Sequence, residues 1–307
     1  MKPRIVIILG PTAVGKTELA LELCYEVAGE IVNADSQQVY RYMEIGTGKP
    51  PLTDRQRIQH HLIDIVDPDE LFNAAQFRDL ASRAISEIHD RNRRAIVCGG
   101  TGLYLKALTQ GLFSGPARDP ELRRSLQQEI DQKGFAALYQ RLLAIDPTVA
   151  SSIHPNDRQR TVRALEVFEL TGKPITEWQR EHAFREEPYE VLKIGLDRER
   201  SELYERINRR SERMIQDGLL EEVRTLVDKG YGLQLAPLRS LGYRQMGQVL
   251  RGAQDMPEAL QEMKQETRRL AKRQLTWFRR EPQIVWHHPD QTQEILATVK
   301  HFLAEES

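Results

Sequence analysis

Gly10-Pro11-Thr12-Ala13-Val14-Gly15-Lys16-Thr17 constrains this chain more than any other stretch. It follows an apolar run, Ile5 to Leu9, and opens onto a helical pattern from Leu19 to Val27. Strand, glycine loop and helix therefore come in the order that a phosphate cradle requires. In such a loop main-chain N–H groups turn inward around phosphate oxygens. Lys16 adds a positive charge, Thr17 can hold a magnesium ion, and the helix N-terminus adds its dipole. The loop specifies the charge of a ligand and leaves the chemistry open.

Further strands are expected at Glu30–Asn33, His61–Val66, Ala95–Cys98, Val191–Leu196 and Ile284–Trp286. Ala74 to His89 carries Phe77, Leu80, Ala81, Ala84, Ile85 and Ile88 at helical spacing. Strands alternating with helices predict an α/β fold: a P-loop NTPase-like parallel sheet flanked by helices, its binding loops on one edge. Between Phe113 and about Pro188 the pattern turns to helices alone. Asp119-Pro120 and Asp146-Pro147 start two of them, and Asn156-Asp157 caps a third that stops at Gly172. The expected organisation is a first core segment over 1–112, an all-helical insertion over 113–188, and core completion with basic helices over 189–307.

A formal net charge of −1 over 307 residues does not by itself mark a partner, so charge segregation matters more than balance. Cys24 and Cys98, far apart and inside apolar runs, fit buried reduced thiols, and no zinc spacing occurs. The N-terminus runs straight into the first strand and no apolar run approaches a membrane span. A cytoplasmic protein is expected.

Three constellations carry the chemistry. First, Asp35-Ser36-Gln37-Gln38 lies just past the second strand, where Asp35 should sit near bound phosphates. Amide side chains suit a base edge, and a carboxylate beside them can accept a proton from an amine. Second, Ala95–Cys98 ends in Gly99-Gly100-Thr101-Gly102 rather than in the magnesium-holding acid common in nucleotide hydrolases and kinases, which weakens that reading; Asp64 and Asp67 stay open for that role. Third, positive charge collects on helices. Gln159, Arg160, Thr161, Val162 and Arg163 open one in the insertion, which also carries Arg123. From Pro257 to Arg280, Lys264, Arg268, Arg269, Lys272, Arg273, Arg279 and Arg280 face only Glu258, Glu262 and Glu266, an excess of four. Leu260, Met263, Leu270, Trp277 and Phe278 should pack that helix inward. Arg239-Ser240-Leu241-Gly242-Tyr243-Arg244 adds a glycine turn between two arginines. Such a distribution supplies salt-sensitive affinity for a phosphate backbone.

These separated motifs, together with His154-Pro155-Asn156-Asp157 and Arg269-Leu270-Ala271-Lys272-Arg273-Gln274, resemble the bacterial tRNA dimethylallyltransferases over nearly the whole chain. The resemblance implies transfer of a five-carbon isoprenoid from dimethylallyl diphosphate to the exocyclic amine of the adenosine just 3′ of the anticodon. The loop Gly10–Thr17 would then hold the donor's diphosphate. Asp35 matches the general base, and Thr12, Lys16 and Thr17 with magnesium match the group that stabilises the leaving diphosphate. Arg210 matches an arginine aimed at the diphosphate, with Arg206 as its rival, and Thr101 matches the residue that touches the target nucleotide. Contacts to the tRNA anticodon arm are expected from Asp35, Ser36, Gln37, Gln38, Thr101, Arg123, Gln159 to Arg163, Arg239, Gly242, Tyr243, Arg244, Arg269, Lys272 and Arg273. The target base would be flipped out of its stack. A monomer is expected. Prenylation of a free adenylate, a small-molecule kinase, and a non-catalytic RNA-binding module are the alternatives at this point.

Overall fold

The computed structural model describes residues 2–113, 115–182 and 186–304. The elements in chain order begin with β1 (Arg4–Leu9), α1 (Lys16–Glu26), β2 (Gly29–Asn33), α2 (Leu52–Arg57), β3 (His60–His61), α3 (Ala74–Asp90), β4 (Arg94–Gly99) and α4 (Gly102–Gln110). Five helices follow: α5 (Pro120–Lys133), α6 (Phe135–Ile145), α7 (Pro147–Ser152), α8 (Arg158–Thr171) and α9 (Ile175–His182). The chain continues through β5 (Glu190–Leu196), α10 (Arg200–Gln216), α11 (Leu219–Asp228), a 3-10 turn at Pro237–Arg239 and α12 (Tyr243–Leu250). It ends with α13 (Met256–Phe278), β6 (Ile284–His287) and α14 (Thr292–Ala304).

Two compact units result, Met1–Thr109 with Glu187–Ser307, and Gln110–Glu186. The first is built on a six-stranded, all-parallel sheet ordered β3-β2-β4-β1-β5-β6. Its central strand explains why the run Ile5–Leu9 carries no polar residue. Val6 and Ile8 enter a core with Leu19, Leu23, Leu203, Ile207 and Ile295, while Ile5, Ile7 and Leu9 enter another with Phe77, Ile85, Leu105 and Phe278. A parallel strand covered on both faces has no solvent side to mark with polar residues. Asn73 fixes the start of α3 by a capping box, accepting from the Ala75 and Gln76 N–H groups while Gln76 returns to the Asn73 N–H.

A third cluster in this unit joins the segment after β2 to α11, α12 and α13. Val39, Tyr40 and Met43 pack there against Leu219, Val223, Tyr243, Met246 and Met263. The expected strand at His61–Val66 is mostly absent. Only His60 and His61 pair with β2, because Leu62 and Asp64 turn into the left-handed region at φ 64° and 57°. Asp64 is drawn there by ion pairs to buried Lys49 and to Arg55, and Val66 retains a single bridge to Tyr40.

The second unit closes its own core, with Leu126, Leu138, Leu142, Leu165 and Val167 among the buried side chains. Asp119, Asp146 and Asp157 cap α5, α7 and α8, and Gly172 ends α8 at φ 69°. Cys24 and Cys98 are buried free thiols, and burial pushes the Cys98 thiol up to about 12.

Candidate active site

Because every strand runs the same way, the loops after β1, β2, β4 and β5 share the carboxyl edge of the sheet. The β1 loop, Gly10–Thr17, passes close against the end of β5. At Gly10, φ is 147° and a Cβ would sit 2.6 Å from the Leu196 carbonyl oxygen, so only glycine lets the loop pass the end of β5. Lys16 Nζ donates to the Pro11 carbonyl at 2.7 Å. Two arginines of the later segment hold the loop from outside. Arg206 Nε donates to the Ala13 carbonyl and Arg198 Nε to that of Val14, each at 2.9 Å. Thr17 sits in the first turn of α1, half-buried.

The β2 loop brings Asp35 to this edge. Its Oδ1 accepts the Gln37 N–H at 2.8 Å, an Asx turn that fixes the carboxylate on its own backbone. The loop after β4 meets it: the Thr101 hydroxyl accepts the Ser36 N–H at 3.1 Å, and the Thr101 N–H donates to the Ala34 carbonyl. Ser36 and Thr101 are thus hydrogen-bonded to each other beside Asp35, although 65 residues separate them.

Gln274 of α13 ties this cluster to the phosphate loop. Its Oε1 accepts the Thr12 N–H at 2.9 Å and its Nε2 donates to the Gly100 carbonyl at 3.0 Å. Nothing in the local sequence distinguishes this glutamine from a solvated one. Only the packing of α13 against the sheet edge reveals its part.

Arg210 occupies a different position from its rival. Its guanidinium reaches the Thr47 carbonyl at 3.5 Å and lies against Gly48, where φ is 60° and a Cβ would come 2.8 Å from Arg210 Cζ. Gln38 Nε2 donates to the carbonyls of Thr47 and Gly48 at 3.3 and 3.2 Å. Burial lowers the pKa of both Lys16 and Arg210, and the Asp35 carboxylate works against that lowering in each. Two half-buried cations near one carboxylate leave a net positive site, suited to an anion with more than one charge.

The expected RNA contacts divide into several groups. In the first unit, Arg239, Arg244, Lys272 and Arg273 are exposed, as is Arg269, which pairs with Glu266. Arg239, Arg244 and Arg251 line a hollow of about 260 Å³ together with Gln248. Tyr243 is a correction: it is fully buried, with its hydroxyl on Glu222 at 2.5 Å, and Gly242 beside it is buried as well. Within the second unit, Gln159 and Arg160 are exposed and Val162 is half-buried. Thr161 is fully buried, so it too belongs to the core rather than to a contact surface. Arg123 and Arg163 both bind the buried Glu166, at 2.7 Å, which makes them interior counter-ions first. In the basic helix Lys264 is likewise neutralised by Glu212 at 2.5 Å.

A model of the family described as IPP transferase matches residues 38–281. The chain belongs to the IPP transferase family. It is 52% identical over 302 residues to tRNA dimethylallyltransferase 2 of Syntrophus aciditrophicus, covering 98% of this chain and 97% of that one. The tRNA dimethylallyltransferase of Geobacter metallireducens is 51% identical over 302 residues, covering 98% of both chains. Among solved structures, the tRNA isopentenylpyrophosphate transferase of Bacillus halodurans is 39% identical with a TM-score of 0.74, over 99% of this chain and 98% of that one. A eukaryotic dimethylallyltransferase acting on tRNA gives a TM-score of 0.82 at 26% identity, over 99% of this chain and 80% of that one.

Proposed function

We propose that this chain is a tRNA dimethylallyltransferase that prenylates the exocyclic amine of the adenosine 3′ to the anticodon. The amine nitrogen attacks the first carbon of dimethylallyl diphosphate. The bond from that carbon to the diphosphate oxygen breaks, and the amine proton passes to the Asp35 carboxylate. Lys16, Arg210 and the N–H groups of Ala13–Thr17 take up the charge that grows on the leaving diphosphate. Thr101, bonded to the Ser36 N–H, and the amides of Gln37 and Gln38 flank the acceptor base, which enters flipped out of its stack.

The observation that carries this reading is the placement of Asp35, fixed by its Asx turn at the carboxyl edge of the sheet and near enough to Lys16 and Arg210 to act on both electrostatically, in a member of this family. A carboxylate next to a diphosphate seat is where a base is needed for an amine attacking a carbon attached to that diphosphate. Magnesium fits the same seat. The Thr17 hydroxyl, in the first turn of α1 at the end of the loop, and the diphosphate oxygens would hold the ion. When bound it supplies further charge neutralisation on the leaving group. The anticodon arm would be met by Arg239, Arg244, Arg269, Lys272 and Arg273 in one unit and by Gln159 and Arg160 in the other. No helix among the described residues is long and apolar enough to cross a membrane. The reading takes the protein to act on tRNA as a cytoplasmic monomer.

The test is to incubate the folded protein with dimethylallyl diphosphate, magnesium and unmodified tRNA that carries adenosine at the target position. Prenylated adenosine is the expected product, and its absence refutes the proposal. Asp35→Ala should lose turnover while retaining tRNA affinity; unchanged turnover would remove Asp35 from the role of base.

A further inference from the structure

We infer that Glu222, far from the reacting groups in sequence, is a positioning residue for the diphosphate seat, acting through the segment 43–48. The inference rests on the reading of Arg210 as the diphosphate arginine. Glu222 projects from α11 into the turn that follows Met43. Its Oε2 accepts the N–H groups of Glu44 at 3.0 Å and Ile45 at 2.8 Å, and its Oε1 accepts that of Gly46 at 3.2 Å. The Tyr243 hydroxyl donates the fourth bond, to Oε1 at 2.5 Å. One carboxylate thus meets three consecutive main-chain donors and a phenol, which matches the acceptor capacity of its two oxygens. Three successive N–H groups converging on an anion form a nest, a concavity whose shape depends on the anion that fills it.

What the nest holds in place lies two residues further on. The Gly48 N–H donates to the Ile45 carbonyl at 3.0 Å, and the Thr47 hydroxyl donates to the Met43 carbonyl at 2.6 Å. With 44–46 fixed, the carbonyls of Thr47 and Gly48 are aimed at Gln38 Nε2 and Arg210. The Arg210 guanidinium rests directly on Gly48. The path therefore runs from Glu222, through three backbone N–H groups and one turn, to the arginine of the donor seat and to an amide beside Asp35. Tyr243, buried at 0% exposure, serves this path rather than the RNA surface. A glutamine at 222 would present one oxygen and one amide donor. The donor would face a backbone N–H, so the turn would have to shift.

The experiment titrates inorganic diphosphate with magnesium into the full-length protein and measures prenyl transfer in parallel, for wild type, Glu222→Gln, Tyr243→Phe, Arg210→Gln and the Glu222→Gln/Arg210→Gln double variant. Glu222→Gln should weaken diphosphate binding about tenfold, the size of effect of one hydrogen bond to a charged group. Its kcat should fall about 100-fold, as for a small misplacement of a catalytic group. Tyr243→Phe should weaken binding about threefold in the same direction. In the Arg210→Gln background, Glu222→Gln should add no further loss of diphosphate affinity, because its effect on that affinity passes through Arg210. A purely structural staple would instead multiply the two losses, and that result overturns the inference. So does wild-type diphosphate affinity in Glu222→Gln, or in Tyr243→Phe should Glu222→Gln fail to fold. A wild-type protein that binds diphosphate with the Glu222–Arg210 coupling yet forms no prenylated product sinks the proposed function and leaves the positioning role standing.

Discussion

Replacing Gly48 by alanine separates backbone strain from displacement of Arg210, because the chain offers a matched control. Gly48 has φ 60° and Gly252 has φ 68°, so an L-residue at either site is held in the left-handed region. That strain costs about 1–2 kcal/mol. For a protein of this size it lowers Tm by about 2–3 °C. The surroundings differ. No atom lies within 4 Å of a Cβ at Gly252, whereas at Gly48 the new methyl would come 2.8 Å from Arg210 Cζ and closer still to Nη2. The guanidinium must move, since the methyl is fixed to a turn already held at both ends. Displacing a group that contacts the leaving diphosphate by about 1 Å costs about 100-fold in rate. Both variants should therefore melt earlier by similar amounts, while only Gly48→Ala loses kcat/KM for dimethylallyl diphosphate. Thermal denaturation and steady-state kinetics on the two proteins decide it. Equal kcat/KM in Gly48→Ala and Gly252→Ala would refute the assignment of Arg210 to the seat.

Gln274→Leu should separate the phosphate loop from the loop after β4 by removing the bonds to the Thr12 N–H and the Gly100 carbonyl. The expected loss is about 1–3 kcal/mol of stability, read by urea denaturation, with a rise in KM for the donor; no change in either refutes the strap. Lys272→Ala and Arg273→Ala should each reduce the slope of log affinity for tRNA against log salt by about 1, if each neutralises one phosphate, measured by titration at several salt concentrations. Glu166 provides a pH test. Burial pushes its carboxyl up, but hydrogen bonds from Arg123 and Arg163 outweigh this and hold it down at about 2 against an ordinary 4.5. A depressed carboxyl stabilises the fold above its unfolded pKa, and that contribution is lost as pH falls from 4.5 towards 2. Stability of the segment Gln110–Glu186 should decline over that window, and Glu166→Gln should flatten the decline while lowering stability at neutral pH.

The phosphate loop, the Asp35 cluster and the glycines after β4 were legible because each combines a buried strand with residues that only a turn or a ligand requires. Their mutual bonds were not, since Thr101 and Ser36 meet through strand order rather than local pattern. The third strand failed for a comparable reason: Asp64 is turned by Lys49 and Arg55, contacts that hydrophobic alternation cannot register. In α13 the expected inward stripe is buried at Met263 and Phe278 but only half-buried at Leu260, Leu270 and Trp277, while Ala259 and Ala271 are buried beside it. The helix crosses three separate clusters, at Ala259 and Met263, at Ala271 and at Phe278, so no single apolar face describes it. Tyr243 and Thr161 lay in polar, basic surroundings that suggested a surface, yet both point inward. Glu222 gave no signal at all, being one of two adjacent glutamates in the first turn of an amphipathic helix.

The consecutive residues Lys272, Arg273 and Gln274 place opposite duties on a single turn of α13. The first two are exposed to whatever polyanion arrives, and the third is fastened to Thr12 and Gly100. A rigid turn cannot tilt on one side alone. On the proposed function, a movement that RNA imposed on it would reach the seat of the donor, and by thermodynamic reciprocity diphosphate occupancy would be reported back to the RNA. The affinities of the two substrates, each measured in the presence of the other, would then read the stiffness of this turn.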